Sequence, residues 1–296
     1  YNSGGLVASS ALPVAEIRAF PFSAPFASDA AVGNLSSAKS LLTGQSSSSD
    51  GYTTGGGYYS SRNKKIEQFS FSNPFTTATN VGDLTQEMSN ATGQSSSTDG
   101  FTSGGFTFPP NIISNIEKFP FSSGFTTATI VGNLSQALRD ASGQSSSSDG
   151  YHSGGTNSPV AISAIEQFPF SNAPTTTTAV GNLTQGRINA AAQSSSDDGY
   201  SSNGSPITSN IEQFPFSNPF TTATNVGNLT QGGTGAAGQS SNTDGYNSGG
   251  GQFFGIRNRV EKFPFSAPFT TAVDVGDIGN FGGYSNGRYS QAGQQG

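Results

Sequence analysis

Apolar and polar residues alternate over short stretches of this chain, and the alternation predicts strands. From Asn115 to Ser122, Ile, Glu and Phe alternate with polar or small residues, which is typical of a half-buried strand. Thr and Val between Thr221 and Leu229 favour another strand, because branched side chains suit a pleated surface. The best helical candidate, Thr85 to Ala91, is short and lies in a connection. The pattern therefore predicts an all-β chain.

One of these strand segments, IEQFPFS, recurs six times with small changes. Its first Phe falls at Phe20, Phe69, Phe119, Phe168, Phe214 and Phe263, with spacings of 49, 50, 49, 46 and 49 residues. Three more markers recur with it: VGNL or VGDL, GQSSS, and DGYxSGG. The Gln of the GQSSS marker falls at Gln45, Gln94, Gln144, Gln193 and Gln239, with a shortened copy at Gln294. A repeat that covers the whole chain determines its architecture.

Each unit of about 49 residues contains four strand candidates. GQSSS and GYxSGG are separated by Asp-Gly and predict a hairpin with a tight turn. IEQFPFS and TTATxVGNL supply the third and fourth strands. Four strands repeated six times at this period are typical of a β-propeller. A solenoid is the main alternative, but it needs polar capping repeats at both ends, and none is evident.

The two chain ends divide one repeat between them. Ala292 to Gly296 stand where a GQSSS strand belongs, and Tyr1 to Gly5 stand where the following GYxSGG segment belongs. We therefore predict a single domain over 1–296, a six-bladed β-propeller with four antiparallel strands per blade. Its ring is closed by a blade shared between the N- and C-termini. The repeats begin near residues 1, 52, 101, 151, 200 and 246, and the closing strand comes from 289–296.

The succession VGDL, an occasional Arg (Arg139, Arg187), AAGQSSS, GYxSGG and IEKFPF resembles the kelch-type propeller repeat. This resemblance implies that GQSSS lines a central channel, that GYxSGG and IEQFPFS follow, and that TTATxVGNL is outermost. The motifs FPF, VGDLT, AGQSS and GYxSGG are also similar to motifs in repeat proteins of marine phages and environmental microbes. The chain departs from kelch in having no Trp, and only two repeats carry the Arg.

Composition argues against several classes of function. Charged residues make up 10% of the chain, against about 25% in an average soluble domain. The net charge of −6 argues against a nucleic-acid partner, because phosphate binding needs clustered Lys and Arg. The absence of Cys excludes disulfides and Cys nucleophiles. No apolar run approaches 18 residues, so we expect no insertion into a membrane.

Two carboxylates recur along the chain. One precedes the FPF segment, at Glu16, Glu67, Glu117, Glu166, Glu212 and Glu261; the other stands in the hairpin turn, at Asp50, Asp99, Asp149, Asp198 and Asp244. A ring of Ca²⁺ sites is one interpretation, because Ca²⁺ binds several carboxylate, carbonyl and hydroxyl oxygens. We favour a structural interpretation, in which Asp-Gly suits a turn and Glu is solvated or bonded between blades. No metal or other cofactor is therefore predicted, with Ca²⁺ as the alternative.

The repeated aromatic residues predict packing rather than ligand binding. Phe119 and Phe121 are two positions apart on a strand, so both rings can enter one layer between blades. A stacking platform for sugars or bases is the alternative. His152 is the only His, and the sister repeats carry Thr, Ser or Asn there, so we expect it at the surface. The Ser-rich strands thus lack a positioned base, and we predict no enzyme and no catalytic residue.

Two further sets of residues are candidate sites. The sequons in the repeated GNLT/S position are candidate glycosylation sites: Asn34, Asn133, Asn182 and Asn228. We favour the alternative that these Asn side chains only bond their own turn. The connections 57–65, 106–113 and 251–259 vary most and are predicted subunit contacts, because variation there costs the fold least. Their candidate contact residues are Tyr58, Tyr59, Arg62, Phe106, Phe108, Phe253, Phe254 and Arg257.

Together these features predict a non-catalytic structural or adhesive subunit of an extracellular assembly. The assembly is either a surface fibril or a phage tail appendage, so the location is extracellular or on a virion surface. The predicted partners are other copies of the chain or other appendage proteins, met through faces and loops. A glycan-binding, lectin-like propeller is the alternative, with equivalent pockets between blades. An enzyme is a third interpretation.

Overall fold

The computed structural model describes residues 1–7, 12–22, 25–26, 28–58, 61–72, 76–109, 111–122, 124, 126–171, 176–217, 220–252, 255–266, 270–279, 288–289 and 292–293. Every regular element within these ranges is a β-strand, and the paired strands run antiparallel. The predicted all-β class is therefore confirmed. None of the described residues belongs to a helix of the length and hydropathy needed to cross a membrane.

The strands follow one another at short intervals along the chain. The first fifteen are β1 (Asn2–Ser3), β2 (Leu6–Val7), β3 (Glu16–Ala19), β4 (Ala30–Asn34), β5 (Thr43–Ser46), β6 (Asp50–Thr54), β7 (Gly57–Tyr58), β8 (Ser61–Ser70), β9 (Thr79–Ser89), β10 (Thr92–Ser95), β11 (Asp99–Ser103), β12 (Phe106–Thr107), β13 (Asn111–Ile112), β14 (Asn115–Pro120) and β15 (Thr129–Asn133). The others are β16 (Ser142–Ser145), β17 (Asp149–Ser153), β18 (Ala164–Pro169), β19 (Thr178–Asn182), β20 (Ala191–Ser194), β21 (Asp198–Ser202), β22 (Thr208–Pro215), β23 (Thr224–Ser240), β24 (Asp244–Gln252), β25 (Gly255–Ile256), β26 (Arg259–Pro264), β27 (Val273–Asp277), β28 (Arg288–Tyr289) and β29 (Ala292–Gly293).

The same four-stranded arrangement, here called a unit, recurs along the chain. The strand orders are β29-β1-β3-β4, β5-β6-β8-β9, β10-β11-β14-β15, β16-β17-β18-β19, β20-β21-β22-β23 and β23-β24-β26-β27. In each unit the GQS segment is the first strand, GYxS the second, IEQF the third and VGN the fourth. The long strand β23 ends one unit and begins the next. In the unit that contains both chain ends, Asn2 of β1 pairs with Gly293 of β29.

The predicted Asp-Gly turn is wrong in its details. The turn after β10 is formed by the residues before Asp99, because Ser96 N–H bonds to the Asp99 carbonyl at 2.9 Å. Asp99 and Gly100 already belong to β11, and Gly100 has no positive φ. A Cβ on Gly100 would lie 2.3 Å from the ring of Phe119, its partner across the sheet. This glycine therefore makes room for an aromatic ring.

The first strands of neighbouring units approach each other closely. A Cβ on Gly143 would lie 2.2 Å from the carbonyl oxygen of Gly93 in the preceding unit. The contacts run in cyclic order, from β5 to β10, β16, β20, β23 and β29, and β29 contacts β5 in turn. Glycine at positions 93, 143, 238 and 293 permits this approach, because a Cβ there would lie 2.0 to 2.4 Å from a backbone oxygen of the preceding unit; Ala192 occupies the same position in β20.

An aromatic layer joins each unit to the next. Tyr52 stacks on Phe121 with ring centroids 4.7 Å apart, and its hydroxyl donates to the Phe121 carbonyl at 3.0 Å. Phe119 also contacts Tyr52, which confirms that the two Phe residues share one layer. The equivalent stacked pairs are Tyr1–Phe71, Phe101–Phe170, Tyr151–Phe216, Tyr200–Phe265 and Tyr246–Phe22. The last pair joins the final unit to the first.

Candidate functional site

Antiparallel order gives each unit two distinct ends. The turns from first to second strand, and the connections from third to fourth strand, lie at one end, here called the turn end. The connections from second to third strand, and from one unit to the next, lie at the other, here called the loop end. The first strands surround a central cavity of about 300 Å³ towards the turn end. A second cavity of about 160 Å³ lies towards the loop end, where Asn90, Asp140 and Asn189 line it.

The Gln and Ser residues of the first strands join neighbouring units. Gln144 Nε2 donates to the Tyr200 carbonyl of the next unit at 2.9 Å, and to Ser153 in its own unit at 3.0 Å. Ser95 N–H donates to the hydroxyl of Ser145, also in the next unit, at 3.0 Å. Gln45, Gln94, Gln193 and Gln239 make equivalent bonds. These Gln amides are thus buried and engaged between units, and Gln45, Gln94 and Gln193 are also among the residues that line the central cavity.

The carboxylates before the FPF segment have the same role. Glu117 is buried, and it accepts bonds from the N–H of Thr85 at 2.7 Å and from its hydroxyl at 2.6 Å. Because Thr85 belongs to the preceding unit, we call this arrangement the glutamate clasp. Ser36 is clasped by Glu67, Ser135 by Glu166, Thr184 by Glu212 and Thr230 by Glu261. Glu16 is half-buried and pairs with Arg18, whereas the N–H of Gly279, which stands at the clasped position, donates to the Asp29 carboxylate.

The clasps differ in their charged neighbours. Glu67 forms a buried ion pair with Lys39, and Glu212 forms one with Arg187. Burial alone would raise the pKa of Glu67, but the Lys39 charge and hydrogen bonds from Ser36 hold it below its ordinary value. In contrast, burial raises the pKa of Glu117, and the bonds from Thr85 offset this only in part.

Lys39, the cation that pairs with Glu67, was not among the site residues predicted from the sequence. Lys39 and Arg187 both stand six residues before the Gln of the next first strand, at Gln45 and Gln193. Met88 occupies the same position in the unit clasped by Glu117. Aligning the repeats on this Gln would have shown that two cations share one position. Arg139, which the kelch resemblance grouped with Arg187, lies one position later and pairs with Asp140 at 2.7 Å.

His152 is completely buried, so the prediction of a surface position is wrong. Its Nε2 lies 3.3 Å from the Thr92 hydroxyl of the preceding unit. Burial lowers the pKa of His152 to about 4, although the nearby Glu166 carboxylate opposes this shift. Both faces of the second strand are covered, because Tyr151 meets one neighbouring unit and His152 meets the other. Variation at this position therefore reflects interior packing.

The turn carboxylates are distributed around the turn end. The side chain of Asp99 accepts a bond from Thr98 and pairs with Lys118 at 3.2 Å. Asp244 has equivalent partners in Thr243 and Lys262. Within the described ranges, no three His, Asp or Glu side chains are grouped as metal ligands would be.

The four candidate glycosylation residues lie where one unit meets the next. The carbonyl of Asn34 accepts the N–H of Ala78 at 2.7 Å. The side chain of Asn182 is exposed and donates to the Thr221 carbonyl of the next unit at 3.4 Å. Asn133 and Asn228 occupy equivalent positions and are half-buried. These Asn residues therefore contact a neighbouring unit, not only their own turn, and glycosylation stays a prediction.

The predicted subunit-contact residues are held in different ways. The guanidinium of Arg62 lies 4.5 Å from the ring centroid of Phe106, and that of Arg139 lies 5.4 Å from the same ring. Phe108 is 67% exposed. Arg257 is half-buried and donates to the Gln231 carbonyl at 2.9 Å. Tyr58 is half-buried in β7, and Tyr59, Phe253 and Phe254 lie outside the described residues.

No protein-family model matches this chain, and no curated protein matches it.

Proposed function

We propose that the chain is a six-bladed β-propeller whose units are the blades. Four observations support this arrangement. The first strands contact each other in cyclic order, and Tyr246 of the last unit stacks on Phe22 of the first. Gln239 Nε2 also reaches the side chain of Asn2, 237 residues away, at 2.5 Å. Strand β1 of the N-terminus lies between β29 and β3, so both chain ends contribute to one blade.

We further propose that this propeller is a non-catalytic structural or adhesive subunit of an extracellular assembly. The observation that carries the proposal is the use of the repeated polar residues. The Gln, Ser and Glu of the repeat bond neighbouring units and so stabilise the molecule, and several of the Gln and Ser residues also line the central cavity. Such a molecule is a rigid body that acts through its ends and its connections. The assembly is a surface fibril or a phage tail appendage, outside a cell or on a virion, and the partners are other copies or other appendage proteins.

Electron microscopy of the purified chain over a range of concentrations tests both parts. We expect class averages with six blades around a central cavity, and particles that associate into regular assemblies as the concentration rises. Images of the native source material should show the same discs in filaments or on virions. An open, curved array of units would contradict the propeller.

Glycan binding is the second candidate, because the exposed ring of Phe108 could stack on a sugar. A glycan array separates the two candidates. Discs that stay monomeric at every concentration and bind one glycan class would replace the structural proposal with the lectin-like one.

A further inference from the structure

Exposed apolar side chains are concentrated at the loop end. Six large apolar residues are exposed among the described residues, and four of them lie in connections between second and third strands. These four are Leu12 (52% exposed), Phe108 (67%), Val160 (66%) and Ile207 (39%). The other two, Ile130 and Val273, lie in fourth strands. Four different units thus place an apolar side chain at the same end.

These connections are held in place by backbone bonds. Thr156 exchanges backbone hydrogen bonds with Arg139, and Ser205 does the same with Ile188. The connection that carries Phe108 is a short hairpin of β12 and β13, and β12 also pairs with β9 of the preceding unit. Because the bases of the connections are ordered in the free molecule, contacts made by their tips would cost little additional conformational entropy.

The two ends differ in their balance of charge. The loop end carries the basic residues Arg62, Lys64, Lys65, Arg139, Arg257 and Arg259, and the acidic residues Asp83, Glu87, Asp140 and Asp277; Lys64 pairs with Asp83, and Arg139 pairs with Asp140. The acidic residues of the turn end are Asp50, Asp99, Asp149, Asp197, Asp198 and Asp244, accompanied there by Lys118 and Lys262. Asp197 is exposed, and its carboxylate accepts a bond only from the adjacent Ser196 among the described contacts.

We infer that the loop end of one copy docks on the turn end of the next, so that copies stack head to tail. This inference rests on the proposed self-association and specifies its geometry. The apolar tips supply the contact area, and the difference in charge between the two ends selects the orientation. Stacking two loop ends would bring basic residues together, which the charge distribution disfavours. A head-to-tail contact uses two different surfaces and does not close on itself, so it produces a linear stack.

A triple variant tests the apolar tips: Phe108→Ser, Val160→Ser and Ile207→Ser. The matched control is Ile130→Ser with Val273→Ser, which removes exposed apolar side chains from the fourth strands. Sedimentation velocity over a concentration series should show association weakened at least about tenfold in the triple variant, with little change in the control. Circular dichroism and the melting temperature verify that both variants are folded. Equal association of the wild type and a folded triple variant would overturn the inference.

A mixing experiment tests the orientation and does not depend on one variant. Asp197→Lys with Asp198→Lys blocks the turn end and leaves the loop end intact. Alone, the triple variant and the Asp197→Lys/Asp198→Lys variant should each associate at least about tenfold more weakly than the wild type, whereas their mixture should form dimers with one intact junction. A mixture that remains monomeric, while wild type associates, would overturn the head-to-tail arrangement.

Association of the wild type, compared with that of the triple variant, distinguishes a failure of this inference from a failure of the proposed function. Wild-type assemblies that persist in the triple variant would overturn only the stacking surface, and the structural role would stand. A wild type that remains monomeric at every concentration would overturn self-association as well. We expect wild-type stacks that weaken with added salt, because salt screens the attraction between the charges of the two ends.

Discussion

Two glutamate clasps with the same backbone role differ in how their charge is compensated. Glu212 holds Thr184 beside a buried guanidinium from Arg187, whereas Glu117 holds Thr85 with Met88 at the position that supplies the cation elsewhere. Both carboxylates are fully buried. The clasp hydrogen bonds therefore recur from unit to unit of this chain, whereas the cation beside the carboxylate is present in some units and absent in others. The bonds define the interface, and each unit compensates the buried carboxylate in its own way.

The largest expected effect comes from removing a cation where the clasp depends on one. Arg187→Met should lower the free energy of unfolding by about 3–5 kcal/mol, because it leaves the Glu212 carboxylate buried without its partner. Urea unfolding followed by circular dichroism measures the change. Adding Glu212→Gln to Arg187→Met removes the isolated charge and should recover most of the loss. A single variant as stable as the wild type would contradict a dependence on Arg187.

Neutralising the carboxylate should separate the two kinds of clasp. Glu67→Gln should cost about 3 kcal/mol, because Lys39 is left buried without a counter-charge. Glu117→Gln should change stability by no more than about 1 kcal/mol, because burial already disfavours its charged form and raises its pKa. Parallel urea titrations at neutral pH compare the two variants. Equal costs would show that the cation is irrelevant to the clasp.

His152 lies near a third clasp, that of Glu166, and makes it sensitive to pH. The pKa of His152 is lowered by burial from 6.5 to about 4, so the unfolded chain binds this proton more readily than the folded chain. The free energy of unfolding should therefore fall by about 3 kcal/mol as the pH drops from 6.5 to 4, with no contribution from His152 above pH 7.

The matched variant is His152→Asn, since Asn247 occupies the same position in another unit. Thermal melts between pH 4 and pH 8 should show a smaller acid loss in this variant. An unchanged pH profile would assign the acid loss to other groups.

The smallest expected effect comes from giving the Glu117 clasp a cation like the one in the Glu67 clasp. Met88→Lys places a cation beside Glu117, as Lys39 does beside Glu67, and should change stability at neutral pH by about 1 kcal/mol. The pKa of Glu117 should then fall, as that of Glu67 does. In the wild type, the raised pKa of Glu117 increases the free energy of unfolding as the pH falls. In the Met88→Lys variant, a lowered pKa of Glu117 should instead decrease the free energy of unfolding as the pH falls.

Chemical shifts of the Glu117 side chain during a pH titration measure its pKa directly. Glu67 in the same sample is the reference. A Glu117 pKa that does not move would show that the new lysine does not reach the carboxylate.

Features that recur at a constant spacing could be predicted from the sequence. The strand segments and the aromatic layer of Phe119 and Phe121 follow from local alternation combined with repetition, whereas the order of the strands within a unit was implied by the resemblance to the kelch-type repeat. The burial of His152 could not be predicted, because it depends on a neighbouring unit that covers a second face of its strand. The Asp-Gly pair was misassigned for a similar reason. Its glycine is needed by a ring across the sheet, and the turn precedes it.

The sequence by itself determined the repeat, the all-β class and the aromatic residues that each unit uses to join the next. These depend on periodicity, which a single chain displays in full. The tertiary structure alone decided which carboxylates have a cation, which polar residues are buried, and that apolar tips and basic residues gather at the end opposite the acidic turns. Those properties arise from residues about 25 to 60 positions apart that meet across the boundaries between units. The sequence pattern along one strand does not reveal such contacts.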